Sequence, residues 1–448
     1  MFMLKILFVS LGCDKNLVDS EVMLGLLTEK GYGFTDNEEE ADVIVVNTCC
    51  FIGDAKEESV NTILEMAEYR KNGQCKALIV TGCMAQRYRQ EILDEIPEVD
   101  AVLGTTAYDR IIDAVEEALK GNHLLLCQDT GRLVLSDAGR ILTTGGHYAH
   151  LKIAEGCDKH CTYCIIPSLR GSYRSVPLER LTAEAQKLAE QGVKELILVA
   201  QETTLYGVDL YGEKSLHRLL QELCRVKGIR WIRVQYCYPE EIYPELVEVM
   251  KKEPKVCHYL DLPIQHASDR ILKRMGRRTT QEDLREIIHG LRREIPDICL
   301  RTTLISGFPG ETQEDHEELM AFVDEMEFDR LGVFAYSAEE DTPAASMPDQ
   351  IPEELKQERR DEIMELQQEI AFEKAEDMVG KELWCMVEGK IADEYAYVAR
   401  TYRDAPGVDG YLFIQTMEEL MSGDFVKVRV TGAEEYDLIG EIADEFTE

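Results

Sequence analysis

Nine consecutive residues, Gly156-Cys157-Asp158-Lys159-His160-Cys161-Thr162-Tyr163-Cys164, constrain this chain more than any other stretch. Three cysteines are separated by three and then two residues, in a loop that follows an expected strand over 150–154. A loop this tight can aim three thiolates at one centre and offers no fourth. A closed structural zinc site takes four ligands, and ferredoxin runs also supply four cysteines. Three ligands therefore imply a 4Fe-4S cluster with one iron open to a non-protein ligand. The competing reading is a chance grouping of buried or disulfide cysteines, since free cysteine packs well as a small hydrophobe. Beside Asp158, Lys159 and His160 such a grouping makes a poor core strip.

The spacing Cys-x-x-x-Cys-x-x-Cys, with an aromatic just before the last cysteine, resembles the radical S-adenosylmethionine superfamily. The resemblance implies that Cys157, Cys161 and Cys164 hold the cluster and that Tyr163 lies against the adenine. It also implies that the open iron chelates the amino and carboxylate groups of S-adenosylmethionine, whose reductive cleavage gives a 5′-deoxyadenosyl radical.

Ahead of this loop the chain alternates strands and helices. Apolar runs over 4–9, 42–47 and 77–81 read as strands, with an amphipathic helix carrying Leu17, Met23, Leu24 and Leu27 after the first. Such alternation predicts an α/β fold with a flavodoxin-like parallel sheet. Cys13, Cys49 and Cys83 each fall just past the carboxyl end of a strand, the edge where open α/β sheets bind ligands. That coincidence favours a second three-cysteine cluster site. Cys50 could replace Cys49 but reads better as a bystander. Ser10-Leu11-Gly12-Cys13-Asp14-Lys15-Asn16-Leu17-Val18-Asp19-Ser20-Glu21, Asn47-Thr48-Cys49 and Thr81-Gly82-Cys83 resemble the N-terminal domain of methylthiotransferases. In those enzymes a second 4Fe-4S cluster there holds the sulfur to be inserted.

The domains expected are 1–127 (second cluster), a linker over 128–146 with a hairpin in it, 147–376 (radical S-adenosylmethionine domain) and 377–448. Within 147–376, runs over 195–200, 231–235, 259–261, 299–306 and 330–334 read as strands, suiting a central partial (β/α)6 barrel with its site at the strands' carboxyl ends. Gln201, Glu202, Gln265, His266 and Gly307 follow such strands, and Arg301 lies on one. They are the candidates for the cofactor pocket: an amide or carboxylate for the ammonium, Arg301 for the carboxylate, and glycine for close backbone approach. Taken singly, each would read as a turn or helix cap, and His266 as a bond to a backbone carbonyl. Cys75, Cys127, Cys224, Cys237, Cys257, Cys299 and Cys385 show no ligand spacing and read as structural.

After a polar helix over 351–378, short alternating runs over 383–388, 396–401, 410–414 and 425–431 predict a small β-barrel, which resembles a TRAM domain. TRAM barrels often bind RNA through basic grooves and stacking aromatics. Here acidic residues outnumber Lys381, Lys390, Arg400, Arg403, Lys427 and Arg429 by a wide margin, and Tyr395, Tyr397, Tyr402 and Phe413 are as suited to a core.

The whole 448-residue chain carries 86 acidic against 49 basic residues, a net charge of −37. Such a surface repels phosphate backbones and attracts basic partners, though it also serves solubility. Fourteen cysteines with no secretion signal and no apolar run long enough to span a membrane point to the reducing cytoplasm. The first-cysteine motif, Pro263-Ile264-Gln265-His266-Ala267-Ser268 and Cys164-Ile165-Ile166-Pro167-Ser168 look like the methylthiotransferase branch that modifies small-subunit ribosomal protein twelve. That resemblance implies two 4Fe-4S clusters, S-adenosylmethionine, an electron donor and methylthiolation of an aspartate β-carbon, with nucleic acid disfavoured as direct substrate. The alternatives are methylthiolation of an adenosine in tRNA and a non-catalytic electron carrier.

Overall fold

Runs of branched apolar residues without charge are satisfied only when both faces of a sheet are covered. Val43–Thr48 and Ala77–Gly82 are such runs, and every residue in them is buried. In the computed structural model, which describes residues 4–443, they form the centre of a six-stranded sheet. Its order is Gly33–Phe34, Lys5–Ser10, Val43–Thr48, Ala77–Gly82, Ala101–Leu103 and Leu124–Leu126, with each neighbouring pair parallel. This is the doubly wound flavodoxin order with an added edge strand. Alternate residues feed two cores. Ile44, Val46, Leu78 and Val80 pack with Ile63 and Met66, whereas Val43, Val45, Ala77 and Ile79 pack with Met23, Leu27 and Ile111. The strands of two and three residues are too short to be seen in the sequence.

The chain divides into two compact units that do not follow chain order. The first takes everything described up to Thr143, then Ala154–Val176 and Ser337–Ala345. The second takes Thr144–Ile153, Pro177–Tyr336 and the chain from Ser346 onward. The expected hairpin over 128–146 does not form, since no strand lies between Leu126 and Tyr148. That segment is instead pinned to the helix Asp14–Glu29. Arg140 pairs with Glu21, both nearly inaccessible, and Thr143 N donates to Glu21 Oε1 at 2.9 Å. A Cβ at Gly25 would fall 1.8 Å from the Gly139 carbonyl oxygen, so this contact requires the glycine.

In the second unit six parallel strands run in sequential order: Tyr148–Lys152, Glu195–Val199, Trp231–Val234, Val256–Asp261, Cys299–Ser306 and Arg330–Ala335. Helices Leu178–Glu190, Leu216–Cys224, Pro244–Lys252, Gln281–Glu294 and Gln313–Met326 fall between them, which makes a partial (β/α)6 barrel. Thr302, Leu304 and Ser306 are buried on the helix side, where Ser306 Oγ donates to Lys356 O at 3.0 Å. Arg301, Thr303 and Ile305 occupy the other face and keep some exposure.

Helix Glu353–Glu376 leads to a closed barrel in which Glu382–Lys390, Ala396–Thr401, Leu412–Gln415, Asp437–Ile442 and Phe425–Glu434 are neighbours in that order. Its core is built from Cys385, Val387, Tyr397, Ala399, Leu412, Ile414 and Val428. The strand Asp437–Ile442 was not expected from the sequence; its Gly440 backs onto Arg429 O and Val428 too closely for a Cβ. Residues 401–409 of this barrel reach the amino ends of the larger barrel's strands. Tyr259 donates its hydroxyl to Asp409 at 2.8 Å, Arg403 pairs with Asp329 at 2.7 Å and Arg330 with Asp404 at 2.6 Å. Among the described residues no helix is long and apolar enough to cross a membrane.

Candidate functional site

Parallel pairing sets three strand ends of the first unit in one row: Ser10 lies opposite Asn47, Asn47 opposite Thr81, and Thr48 opposite Gly82. Cys49 and Cys83 follow directly, and Cys13 comes three residues past Ser10. Side chains from the stretch after Cys13 tie this edge together. Asn47 Nδ2 donates to Ser20 Oγ at 2.8 Å and Asn16 O at 3.0 Å, and Asn16 Nδ2 donates to Thr48 O at 2.9 Å. Ser59 Oγ accepts from Cys49 N at 3.0 Å and donates to Cys49 O at 2.8 Å. Gly82 has φ +93°, and a Cβ there would lie 2.4 Å from Thr48 O, so the turn that delivers Cys83 admits only glycine.

Cys83 and Cys49 are both buried among the neighbouring thiols. Burial pushes the Cys83 thiol up to about 11, Arg170 opposes this, and Cys13 and Cys49 add to the rise. Burial likewise raises Cys49, with Cys13 contributing. Three soft sulfurs grouped at a strand edge are a donor set suited to an iron–sulfur cluster. Cys50 is wholly buried in the apolar core, and burial, then Cys83, push its thiol up to about 12.

The radical-loop cysteines belong to the same unit. Gly156, at φ +83°, delivers Cys157; a Cβ there would meet Ser172 O at 2.2 Å. Cys157 N donates to Gly171 O at 3.1 Å, and Cys164 N donates to Cys161 O at 3.0 Å. His160 takes the left-handed conformation at φ +53° between the first two cysteines. Ala344 N donates to Thr162 O at 2.9 Å, so Ser337–Ala345 braces the loop. Cys157 and Cys161 are buried, and Cys164 and Tyr163 partly so. Burial pushes the Cys164 thiol up to about 12, with Cys161 and Cys157 adding to it. Among the described residues no three His, Cys, Asp or Glu side chains close round a point as a single metal ion would require.

Sequence reasoning overlooked Arg170. It sits on the short helix Ile166–Arg170, 1% exposed, and donates to Asp19 Oδ2 at 2.8 Å, Glu155 Oε2 at 3.3 Å and Cys83 Sγ at 3.5 Å, as well as to Asn16 Oδ1. The available signal was an arginine closing the apolar stretch Ile165–Leu169, where a charge needs a buried partner.

The barrel candidates lie in the second unit and fall into two groups. Gln201, Glu202, Gln265 and Gly307 follow strands at their carboxyl ends. Gln265 has φ +71° and Tyr236, after the neighbouring strand, φ +60°. Left-handed non-glycine residues at successive strand ends are the kind of strain that clusters at binding sites. Gln235 beside Tyr236 is 7% exposed and its Oε1 has no protein hydrogen bond, which leaves an acceptor for a ligand. Glu202 is fully buried, its Oε1 accepting from Thr204 N at 2.9 Å.

His266 and Arg301 depart from the expectation. His266 is 0% exposed: its Nδ1 accepts from Ser268 N at 3.0 Å, and its Nε2 lies 3.5 Å from Glu311, itself bound to Arg359 at 2.8 Å. It is held within the loop that follows the strand by these contacts. Arg301 is the third residue of an eight-residue strand, away from the carboxyl end, and pairs with Asp261 at 3.0 Å and Asp409 at 3.4 Å. Its guanidinium is shared between Asp261 of the neighbouring strand and Asp409 of the C-terminal barrel. A groove of about 960 Å³ lined by both tryptophans, Trp231 and Trp384, lies at the strands' amino ends and is distinct from the carboxyl-end site.

Known proteins place these features. Family models match residues 5–104 (Uncharacterized protein family UPF0004), 151–323 (Radical SAM superfamily) and 379–443 (TRAM domain). A ribosomal protein uS12 methylthiotransferase RimO of Lachnoclostridium phytofermentans is 64% identical over 98% of this chain and 99% of its own. The chain belongs to the uS12 methylthiotransferase family. The member of the same name from Clostridioides difficile is 50% identical over 98% of this chain and 99% of its own. Family membership makes this chain a radical S-adenosylmethionine methylthiotransferase, and with that superfamily come a 4Fe-4S cluster and S-adenosylmethionine. The fold agrees with the solved radical S-adenosylmethionine methyltransferase TsrM of Kitasatospora setae, at a TM-score of 0.55 and 14% identity over 77% of this chain and 74% of that one.

Proposed function

We propose that this chain methylthiolates the β-carbon of one aspartate in ribosomal protein uS12, in the cytoplasm, using two 4Fe-4S clusters, S-adenosylmethionine and an external electron donor. Cys157, Cys161 and Cys164 would hold the cluster that binds S-adenosylmethionine, and Cys13, Cys49 and Cys83 the second. The observation that carries this reading is that both cysteine trios fall on one compact unit, with Cys13, Cys83 and Cys157 each delivered by a crowded left-handed Gly-Cys turn. The bound groups supply a methyl for a sulfur held at the N-terminal cluster and a radical able to take hydrogen from the aspartate. The chain's own part is to aim the thiols, to set Tyr163 of the radical loop against the adenine, and to offer Gln201, Gln235, Gln265 and the Gly307 backbone as polar contacts at the barrel's strand ends. Three domains, 1–127, 147–376 and 377–448, would divide the work as sulfur holder, radical source and partner dock.

The C-terminal barrel supports a protein partner over RNA. Binding phosphates takes free Lys and Arg to displace counterions. Arg400 is buried against Glu195 and Glu388, Arg403 pairs with Asp329, and Lys427 and Arg429 both pair with Glu382. With most of its cations engaged, the barrel presents carboxylates, which steer a basic protein and turn away phosphate-rich competitors.

The deciding experiment is mass spectrometry of ribosomal proteins and tRNA from cells with and without the gene. The expected result is loss of one methylthio group from uS12 and unchanged tRNA. Unmodified uS12 in both strains, with a methylthio adenosine lost from tRNA, would overturn the substrate assignment.

A further inference from the structure

Asn16 and Asp19, from the stretch after Cys13, and Glu155, just ahead of Gly156-Cys157, converge on the single guanidinium of Arg170. Arg170 lies six residues beyond Cys164, and the segment carrying it is anchored in the first unit. Ile165 and Leu169 pack in the core with Val46, Val80 and Cys83, and Thr105 Oγ1 donates to Leu169 O at 2.7 Å. One nitrogen, Nη1, serves the two carboxylates, Asp19 from one cysteine segment and Glu155 from the other. The second, Nη2, serves Asn16 Oδ1 and Cys83 Sγ. Two carboxylates already compensate the cation, so the ion pairs alone give no reason for it to reach the sulfur. A rigid guanidinium fork can satisfy both sets at once, which a lysine ammonium cannot. The arrangement also explains why Asn16 and Asp19 are buried although they follow an exposed cysteine.

We propose that Arg170 is a positioning residue: it keys the radical loop to the N-terminal trio and, through its hydrogen bond to Cys83, raises the reduction potential of the cluster that trio holds. The proposal rests on the assignment of a cluster to Cys13, Cys49 and Cys83. Hydrogen bonds to a cluster's sulfurs, and positive charge beside them, favour its more negative reduced form. Removing the donor must therefore lower the potential.

The test uses the full-length chain with Cys157, Cys161 and Cys164 changed to Ala, reconstituted anaerobically so that only the N-terminal cluster is present. Iron content and an EPR-monitored redox titration are compared for Arg170, Arg170→Lys and Arg170→Met. The expected result is iron retained in both variants and a midpoint shifted to lower potential, more in Arg170→Met than in Arg170→Lys. Iron-replete variants that titrate at the parent midpoint would overturn the proposal. So would loss of iron from both variants, or a lysine variant with parent iron and midpoint beside a methionine variant without iron, since Arg170 would then be a structural support only. A parent that held no cluster in this background would instead sink the assignment beneath it.

Discussion

Glu195 and Arg400 meet at 2.8 Å with neither side chain exposed, although they stand 205 positions apart. Arg233 completes a triad, its Nε 2.8 Å from the other carboxylate oxygen and its Nη1 donating to Tyr402 O at 2.6 Å. Burial pushes the Glu195 carboxyl up, but Arg400 and Arg233 outweigh it and hold the group below the usual carboxylate range. Removing one partner of a buried pair strands the others' charge and costs about 3–5 kcal/mol. Glu195→Gln is therefore expected to lower the denaturant midpoint of the full chain markedly. Replacing all three residues by apolar ones of similar volume should recover most of the loss. A Glu195→Gln midpoint equal to the parent's would show that the triad adds nothing.

Iron content tests the cysteine assignments. Two trios each holding a four-iron cluster give about eight irons per chain after anaerobic reconstitution. Changing Cys157, Cys161 and Cys164 together to Ala should leave about half. Full iron in that variant would refute a cluster at the radical loop.

The two trios should also separate by role. Replacing Cys13, Cys49 and Cys83 is expected to abolish methylthio transfer while deoxyadenosine formation from S-adenosylmethionine continues. Product analysis by chromatography reads both outcomes in one reaction. Loss of reductive cleavage in a variant whose radical-loop cluster is fully occupied would contradict independent roles.

Asp315 gives the barrel a measurable acid limb. It caps helix Gln313–Met326 and accepts from Ser268 Oγ at 2.7 Å, Thr312 Oγ1 at 2.8 Å and Arg270. Burial pushes its carboxyl up, yet Arg270, Ser268 and Thr312 outweigh that and hold it at about 2, against 3.8 for the free group. A depressed carboxyl stabilises the fold above its unfolded value and loses that contribution as pH falls through its folded value. Asp315→Asn should cost about 1–2 kcal/mol near pH 6, allowing for solvent around Arg270, and the deficit should shrink between pH 4 and pH 2. Urea unfolding of the apo chain across that range checks it. A deficit independent of pH would assign the loss to packing.

Much of the architecture was legible because period and punctuation carry it. The run over 299–306 matches Cys299–Ser306, and 396–401 matches Ala396–Thr401. Cysteines one to three residues past strand ends located the N-terminal trio, because parallel register then forces those ends into one row. What escaped depends on distant partners. Nothing local to Arg301 reveals Asp409, over a hundred residues on, as its mate. Nor does the surrounding sequence reveal that His266 faces Glu311 or that Arg170 reaches back to Cys83. The strands Gly33–Phe34 and Ala101–Leu103 are too short to show a period.

The unit that carries all six cysteines of the two trios closes only with Ser337–Ala345, through Ala344 N to Thr162 O and through Glu339 to Arg87 at 3.2 Å. On the ribosome, the thiols of residues 13 to 164 emerge long before that closing strip is made. The thiols therefore precede the closing strip by the synthesis of most of the barrel. A chain halted near residue 336 would own every cysteine of both trios without the clasp that steadies them.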